Sequence, residues 1–344
     1  MNKKILSIAI PTYNRDAYLE KQLHRIKQQN NISVDILIAD NASSDKTQDI
    51  VQQFQKDMPN IFYFRNEANI GFDKNVLKLY SLASTKFIWF LSDDDLIVDN
   101  IIDKVLLFVT KYNPTVAVMT ATDIDDNNID LNNESYDVDI YDNLNCVNDY
   151  RLFTKTIFIS ALILRKFKDF DVEEISRLAG TNFIQLSLSL ALLSVEFRYC
   201  VVSGLIVVSR DPGRITNTEI ARLWFVGPAE AMCLNQFGYD NIKACNAISK
   251  GLKDFVYLLV AAKLGRYIIN PSISHETLRK LKSLFGVKMT GIIFILLAGY
   301  RMIPAPVFKL SVWFDCILKN GYINGSKKFR RLTNISLIEK ESDF

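Results

Sequence analysis

The stretch Phe87-Ile88-Trp89-Phe90-Leu91-Ser92-Asp93-Asp94-Asp95 decides the fold. Its apolar half reads as a buried strand, and the strand ends by delivering three acids to the carboxyl edge of a sheet. Three adjacent carboxylates repel one another, so the arrangement calls for something cationic at that edge. With no Cys or His nearby, oxygen-only ligation suits a hard divalent ion, Mn²⁺ or Mg²⁺. Taken alone, the stretch also admits a plainer reading. Acids suit a helix N-terminus, and an amphipathic run follows.

Working outward, residues 5–10 form a strand ended by Pro11 and the polar turn Thr12-Tyr13-Asn14. Leu19, Leu23 and Ile26 then recur at helical spacing. A second strand over 34–39 runs into Asp40-Asn41-Ala42-Ser43-Ser44. Asp45 with Gln48 resembles a capping box ahead of the stripe Ile50, Val51, Phe54 and Met58. Residues 61–64 form a third strand, followed by the loop Arg65-Asn66-Glu67-Ala68-Asn69-Ile70-Gly71 and a helix carrying Val76, Leu79, Tyr80 and Ala83. After the acids come a helix with Ile101, Ile102, Val105, Leu106 and Val109 and a strand over 116–119. Strand and helix alternate with short connections, the signature of a parallel α/β sheet covered on both faces. Ligands bind such sheets where strands end at their carboxyl edge. The turns at 11–14, 40–43 and 93–95 therefore fall on one rim. Asp40 or Asn41 alone would read as an ordinary turn residue.

The chain has 344 residues, 49% of them apolar, enough for one large or two modest domains. Its net charge of +3 is spread along the chain, so no nucleic-acid partner is expected. The cysteines Cys146, Cys200, Cys233, Cys245 and Cys316 are far apart, as free thiols of a reducing compartment are. The apolar run at the start stops at Pro11, too early for a signal peptide, and the run 291–299 falls short of a membrane span. The expected location is cytoplasmic. Asp and Asn crowd 123–143, a surface loop or a flap over the site. Apolar character resumes at 158–164, a helix opens near 180 and runs to about 194, and 199–209 reads as a strand before the turn at 210–214. The expected domains are 1–215, carrying the site, and a helical region over 216–344. In the latter, Phe308, Trp313 and Phe314 are interspersed with Lys309, Lys319, Lys327, Lys328, Arg330 and Arg331. That mixture suits a surface facing anionic lipid, or a helical subdomain with solvated cations.

Four motifs in order, Ile8-Ala9-Ile10-Pro11-Thr12-Tyr13-Asn14-Arg15, Ile38-Ala39-Asp40-Asn41-Ala42-Ser43-Ser44-Asp45, Asn69-Ile70-Gly71 and Leu91-Ser92-Asp93-Asp94-Asp95, resemble the family 2 glycosyltransferases. The resemblance is firm to about residue 120 and weakens toward 210. It implies the GT-A fold, a Rossmann-like, mostly parallel α/β sheet flanked by helices, here with a C-terminal helical extension. It implies a nucleoside-diphosphate sugar donor, with Pro11, Thr12 and Tyr13 lining the nucleotide and Asp40 accepting a hydrogen bond from the base. Asn69 and Gly71 belong to the loop closing over the nucleotide. Asp93 meets the ribose or the metal's water shell, Asp94 ligates Mn²⁺ or Mg²⁺, and Asp95 supports it. Such an ion stabilises charge on the departing diphosphate.

The chain departs from the family pattern twice. Ala39 stands where a second acid is common, which leaves the preferred base open. The acceptor-side helix opens with Gly180-Thr181-Asn182-Phe183-Ile184-Gln185, where inverting members carry a Glu-Asp pair that deprotonates the acceptor. The nearest acids are Asp171, Glu173 and Glu174, with Glu173 and Glu174 the candidate catalytic bases; a retaining transfer assisted by the leaving phosphate is the other possibility. This opening is weakly similar to that of abequosyltransferases, which points to a deoxy- or dideoxyhexose. The implied job is transfer to a polyprenyl-diphosphate-linked glycan at the inner face of the bacterial cytoplasmic membrane, in assembly of a surface polysaccharide such as O-antigen. Two competing functions are a sugar nucleotidyltransferase, whose glycine-rich basic loop Pro11-Thr12-Tyr13-Asn14 lacks, and a nucleotide-sugar-binding assembly protein without turnover.

Overall fold

The apolar runs quoted above become β1 (Leu6–Thr12), β2 (Asp35–Asp40), β3 (Ile61–Arg65) and β4 (Phe87–Phe90). The computed structural model describes residues 4–29, 33–123, 136–143, 156, 158–209, 214–219, 226–232 and 268–302. The four strands lie side by side in the order β3-β2-β1-β4, all parallel. Every residue of β1 is buried, as a central parallel strand covered on both faces requires. The crossovers are α1 (Asp16–Gln28), α2 (Thr47–Gln55) and α3 (Phe72–Leu82). Their stripes, such as Leu19, Leu23 and Ile26 on α1, face the core. At the start of α2, Asp45 Oδ1 accepts the Thr47 amide at 3.0 Å and the Thr47 hydroxyl at 2.6 Å.

Past β4 the chain turns through the three acids, makes the short β5 (Leu96–Ile97), and only then enters α4 (Ile101–Tyr112). Asn100, at φ 58°, precedes the first turn of α4, and the acid in that turn is Asp103. The plainer reading of the triad as an acidic helix opening is thereby excluded.

The second half of the sheet is mixed. Among the described residues, β6 (Val116–Asp123), β7 (Asp137–Tyr141), β8 (Leu162–Arg165) and β9 (Tyr199–Ser209) complete nine strands, with the order β3-β2-β1-β4-β8-β6-β9-β5 and β7 alongside β9. Simple alternation would set β6 beside β4. Instead β8 lies between them, antiparallel to both. Leu162, Ile163 and Leu164 are fully buried there. Such a segment announces burial but not its neighbour, which is why the insertion is not legible in the sequence. β9 runs parallel to β6, with a register shift between Val118 and Thr120. The helix Ile184–Val195 buries every residue from 184 to 193, the pattern of a core helix apolar all round. The expected class, a mostly parallel α/β sheet flanked by helices, is the one observed.

The chain divides into two compact units, Met1–Asp211 with Glu230–Ala244, and Pro212–Ala229 with Cys245–Phe344. In the second, β10 (Arg214–Glu219) pairs in parallel with β11 (Ile268–Asn270), and a long helix follows over His275–Met302. Gly286, at φ 77° and ψ 170°, breaks it. Among the described residues, His275–Ala298 is the one helix long and apolar enough to cross a membrane by length and composition. The break leaves residues 287–302 as a helical segment about 24 Å long, below the ~30 Å of a bilayer core. Val287, Phe294 and Ile295 on it are exposed. Most of the acidic stretch, the turn at 210–213 and the aromatic and basic tail beyond 302 lie outside the described residues.

Candidate active site

Parallel pairing puts the ends of β1, β2 and β4 on one rim: Thr12 sits opposite Asp40, and the Leu91 amide donates to Ala9 O at 3.0 Å. Thr12 Oγ1 donates to Asp93 Oδ2 at 2.7 Å, a buried bond that joins two strand exits 81 residues apart. Asp93 is 4% exposed. Burial first, and then the neighbouring charge of Asp94, push its carboxyl up to about 7, against the lowering effect of Thr12 and Arg15. Asp94 Oδ2 pairs with the Arg15 guanidinium, and its Oδ1 accepts the Ser92 hydroxyl at 2.5 Å. Arg15 Nη1 is also 3.7 Å from Asp93 Oδ1, so one guanidinium faces two carboxylates. Its carbon lies 5.6 Å from the centre of the Tyr18 ring. The Asp95 carboxylate takes the Ser160 hydroxyl, and Ser160 Oγ accepts the Ser92 amide at 2.8 Å. Ser160 belongs to the 3-10 turn Ile159–Ala161 that leads into β8, and its carbonyl accepts Trp89 Nε1 at 2.7 Å.

At the exit of β2, Asp40 is fully buried. Its Oδ1 accepts the Ser43 amide at 2.8 Å, and its Oδ2 accepts the Tyr63 hydroxyl at 2.5 Å with Arg65 Nε 3.4 Å away. Arg65 Nη2 donates to Ser43 O at 2.7 Å, closing the turn from the other side. Between them Ala42 is held at φ 67°, a left-handed conformation that crowds a Cβ. Strain of this kind collects at functional loops whose surroundings over-determine them. Burial and the Asp40 carboxylate push the Tyr63 phenol well above its ordinary range, so it stays a hydrogen-bond donor. The β1 turn locks onto the same loop: Asn14 N donates to Ser43 Oγ at 2.9 Å, and Asn14 Oδ1 accepts the Ser44 amide at 2.7 Å.

The loop after β3 is tied in through Asn41. Asn41 Oδ1 accepts the Ile70 amide at 2.9 Å and Asn66 Nδ2 at 3.0 Å. Asn41 Nδ2 donates to Asn69 Oδ1 at 2.7 Å, which also accepts the Gly71 amide at 2.9 Å. Gly71 needs its glycine, because φ 83° is a conformation that side chains rarely adopt.

The donor set fits a hard divalent ion of a particular kind. Among the described residues no cluster of three or more His, Cys, Asp or Glu makes a ready cage. Asp93 and Asp94, however, lie together with the Arg15 guanidinium between them. Mg²⁺-type ions are held in this way by one or two carboxylates, completing their shell with phosphate oxygens and water.

The bonds above bring together Thr12, Asp40, Asn69, Gly71, Asp93 and Asp94, with Pro11 next to the last residue of β1 and Tyr13 nearly half exposed just beyond it. Asp95 joins through Ser160. Glu173 and Glu174 sit exposed on the four-residue helix Glu173–Ser176, and Asp171 Oδ1 accepts the Glu173 amide at 2.9 Å. Arg15, Ser92, Tyr63, Arg65 and Ser160 were not singled out by sequence reasoning. Arg15 ends a quoted motif, and Tyr63 and Arg65 share one face of β3. Nothing local marks Ser160.

Residues 7–167 match the Glycosyl transferase family 2 model. Abequosyltransferase RfbV of Salmonella typhimurium is 40% identical over 95 residues, 26% of this chain and 28% of that protein. The GalNAc(5)-diNAcBac-PP-undecaprenol beta-1,3-glucosyltransferase of Campylobacter jejuni is 40% identical over 91 residues, 26% of this chain and 29% of that protein. The chain thus spans under a third of the length of these curated relatives. TarS of S. aureus, solved with UDP, superposes with a TM-score of 0.58 over 90% of this chain and 91% of its own, at 14% identity, a likeness of fold. Residues 7–167 thus resemble the family 2 glycosyltransferases, and the chain has the GT-A fold.

Proposed function

We propose that the protein transfers a sugar, a deoxy- or dideoxyhexose, from a nucleoside-diphosphate donor to a hydroxyl of a polyprenyl-diphosphate-linked glycan in assembly of a bacterial surface polysaccharide. The observation that carries this reading is the buried Thr12–Asp93 bond, which sets the acid pair Asp93 and Asp94 beside the β1 and β2 exits. The abequosyltransferase and undecaprenol-linked glucosyltransferase relatives support the sugar and acceptor classes.

In this reading Pro11, Thr12, Tyr13 and Asp40 frame the nucleotide, and Asn69 and Gly71 close over it. Asp40 acts through the turn it holds, because its side chain is fully buried, with Ser43 and Tyr63 donating to its two oxygens. Asp94, with Asp93 beside it, would hold Mn²⁺ or Mg²⁺, and Asp95 anchors the acid turn to Ser160. Such an ion would supply stabilisation of the negative charge that builds on the departing diphosphate. Arg15 adds a fixed positive charge at the same place. The acceptor proton goes to Glu173 or Glu174, or to the departing phosphate. The anomeric configuration of the product, read with the Glu173→Gln and Glu174→Gln variants, separates these.

The exposed Val287, Phe294 and Ile295, with Lys282 and Lys288 nearby in sequence, support residence on the inner face of the cytoplasmic membrane. Co-sedimentation with anionic vesicles should exceed that with neutral ones and weaken with salt. Equal sedimentation would remove this part of the reading.

The deciding experiment incubates the protein and Mn²⁺ with a panel of nucleotide sugars and a polyprenyl-diphosphate-linked acceptor, and measures nucleoside diphosphate release. Release with one donor, lost on chelation, is the expected result. Binding without release from any donor would favour the assembly-protein reading.

A further inference from the structure

The rim carries a fourth buried carboxylate, one that the chemistry above does not use. Asp73, in the first turn of α3, is 3% exposed. Its Oδ2 accepts the amides of Gly180 at 2.6 Å and Asn182 at 3.0 Å, more than 100 residues further along the chain. The recipient turn has Gly180 at φ 103° and Asn182 at φ 64°, so left-handed residues aim successive amides at one anion. Burial raises the Asp73 carboxyl above the ordinary range, while the amides of Gly180, Asn182, Ile184 and Thr181 pull it down. Asp73 Oδ1 is buried with no partner among the described residues.

Topology places this contact. α3 follows β3 and runs back toward β4, so its N-terminus lies on the rim, directly after the loop 69–71. β4 and β6 are each antiparallel to β8, and β9 is parallel to β6, so β9 runs in the same direction as β4. The helix Ile184–Val195 leads into β9 through a short connection and therefore opens on the same rim. It packs on α3 and β6. The nucleotide-side loops occupy the β1-β2-β3 flank of β4, so a second substrate approaching Asp94 must use the β8-β6-β9 flank.

We propose that Asp73 is a positioning residue that couples the two flanks, so that seating the donor under loop 69–71 fixes the turn 180–183 against which the acceptor is presented. This rests on the glycosyltransferase reading. One carboxylate spans the two because α3 directly follows the donor loop and its Asp73 holds the acceptor-side turn.

Hydrogen–deuterium exchange on the full chain with Mn²⁺ tests this, using UDP, GDP, CDP and dTDP as probes. In the parent, the nucleotide that binds should protect both 69–71 and 180–184. Asp73→Ala should keep nucleotide affinity within about threefold and keep the protection at 69–71, yet lose about tenfold of the nucleotide-linked protection at 180–184. In transfer assays its acceptor KM should rise with donor KM unchanged. Asp73→Asn keeps an acceptor oxygen but drops the charge, and should lose about threefold; it decides the matter if the alanine variant does not fold. Protection at 180–184 that ignores nucleotide in the parent, or that the folded variants leave as it is in the parent, overturns the inference. If no nucleotide binds the parent at all, the glycosyltransferase reading itself fails and takes this inference with it.

Discussion

The acids of the rim and the acids of the helix Glu173–Ser176 are the same chemistry in opposite settings. Asp40, Asp73, Asp93 and Asp95 are buried and held by named donors, whereas Glu173 and Glu174 are exposed on four residues of helix. Burying a carboxylate is costly unless it is hydrogen-bonded or paired, so the rim keeps its acids only because Thr12, Ser43, Tyr63, Ser160 and the 180–182 amides receive them. The contrast teaches where charge has been buried and where it stays at the surface. It predicts that substitutions at the rim act strongly and that those on the small helix act weakly.

The largest effect should come from Asp94→Ala. Its carboxylate faces Arg15, and on the proposed reading its removal takes away a ligand of the ion that would stabilise the leaving diphosphate, so turnover should fall by about 100-fold or more. Thermal melts should show the fold intact. Near-normal, metal-dependent release of nucleoside diphosphate by this variant would break the comparison at its centre.

Next comes Asp40→Ala, which orphans the Tyr63 hydroxyl and frees the strained turn at Ala42. A loss of about 3 kcal/mol in denaturant unfolding is expected, as for removing one partner of a buried charged network. Donor KM should rise more than kcat falls, because the turn serves ground-state binding. Unchanged stability would mean that the buried network carries no weight.

A pH series sharpens the comparison further. With chelator present, the folded Asp93 carboxyl titrates near 7, above its usual 3.8. Between those values the folded state binds more protons than the unfolded one, so this group favours folding at low pH and loses that contribution as pH rises through about 7. Asp93→Asn should flatten this slope, by several degrees of melting temperature between pH 5 and pH 8. The same slope in parent and variant would assign it to other groups.

The smallest effect belongs to Glu173→Gln with Glu174→Gln. Stability should change by no more than about 0.5 kcal/mol, as at exposed sites. Turnover should follow suit unless one of them is the base, in which case it falls by about 100-fold or more and the small helix joins the active site.

Much of this molecule is local pattern. The runs 5–10, 34–39, 61–64 and 87–91 declare themselves as strands, and the helical stripes between them force parallel crossovers. Parallel crossovers in turn oblige Thr12, Asp40 and Asp93 to share an edge. That chain of reasoning needs only periodicity and handedness, which short windows of sequence contain. The tertiary structure decided what no window contains: that β8 inserts against β4, that Ser160 holds Asp95, and that Asp73 reaches the 180–182 amides. It also decided that α4 starts at Ile101, leaving the acids free of a helix, and that Gly286 breaks the long apolar helix. The physical reason is that apolar pattern reports which residues leave water, while the identity of their neighbours is set by contacts 65 to 109 residues apart in sequence.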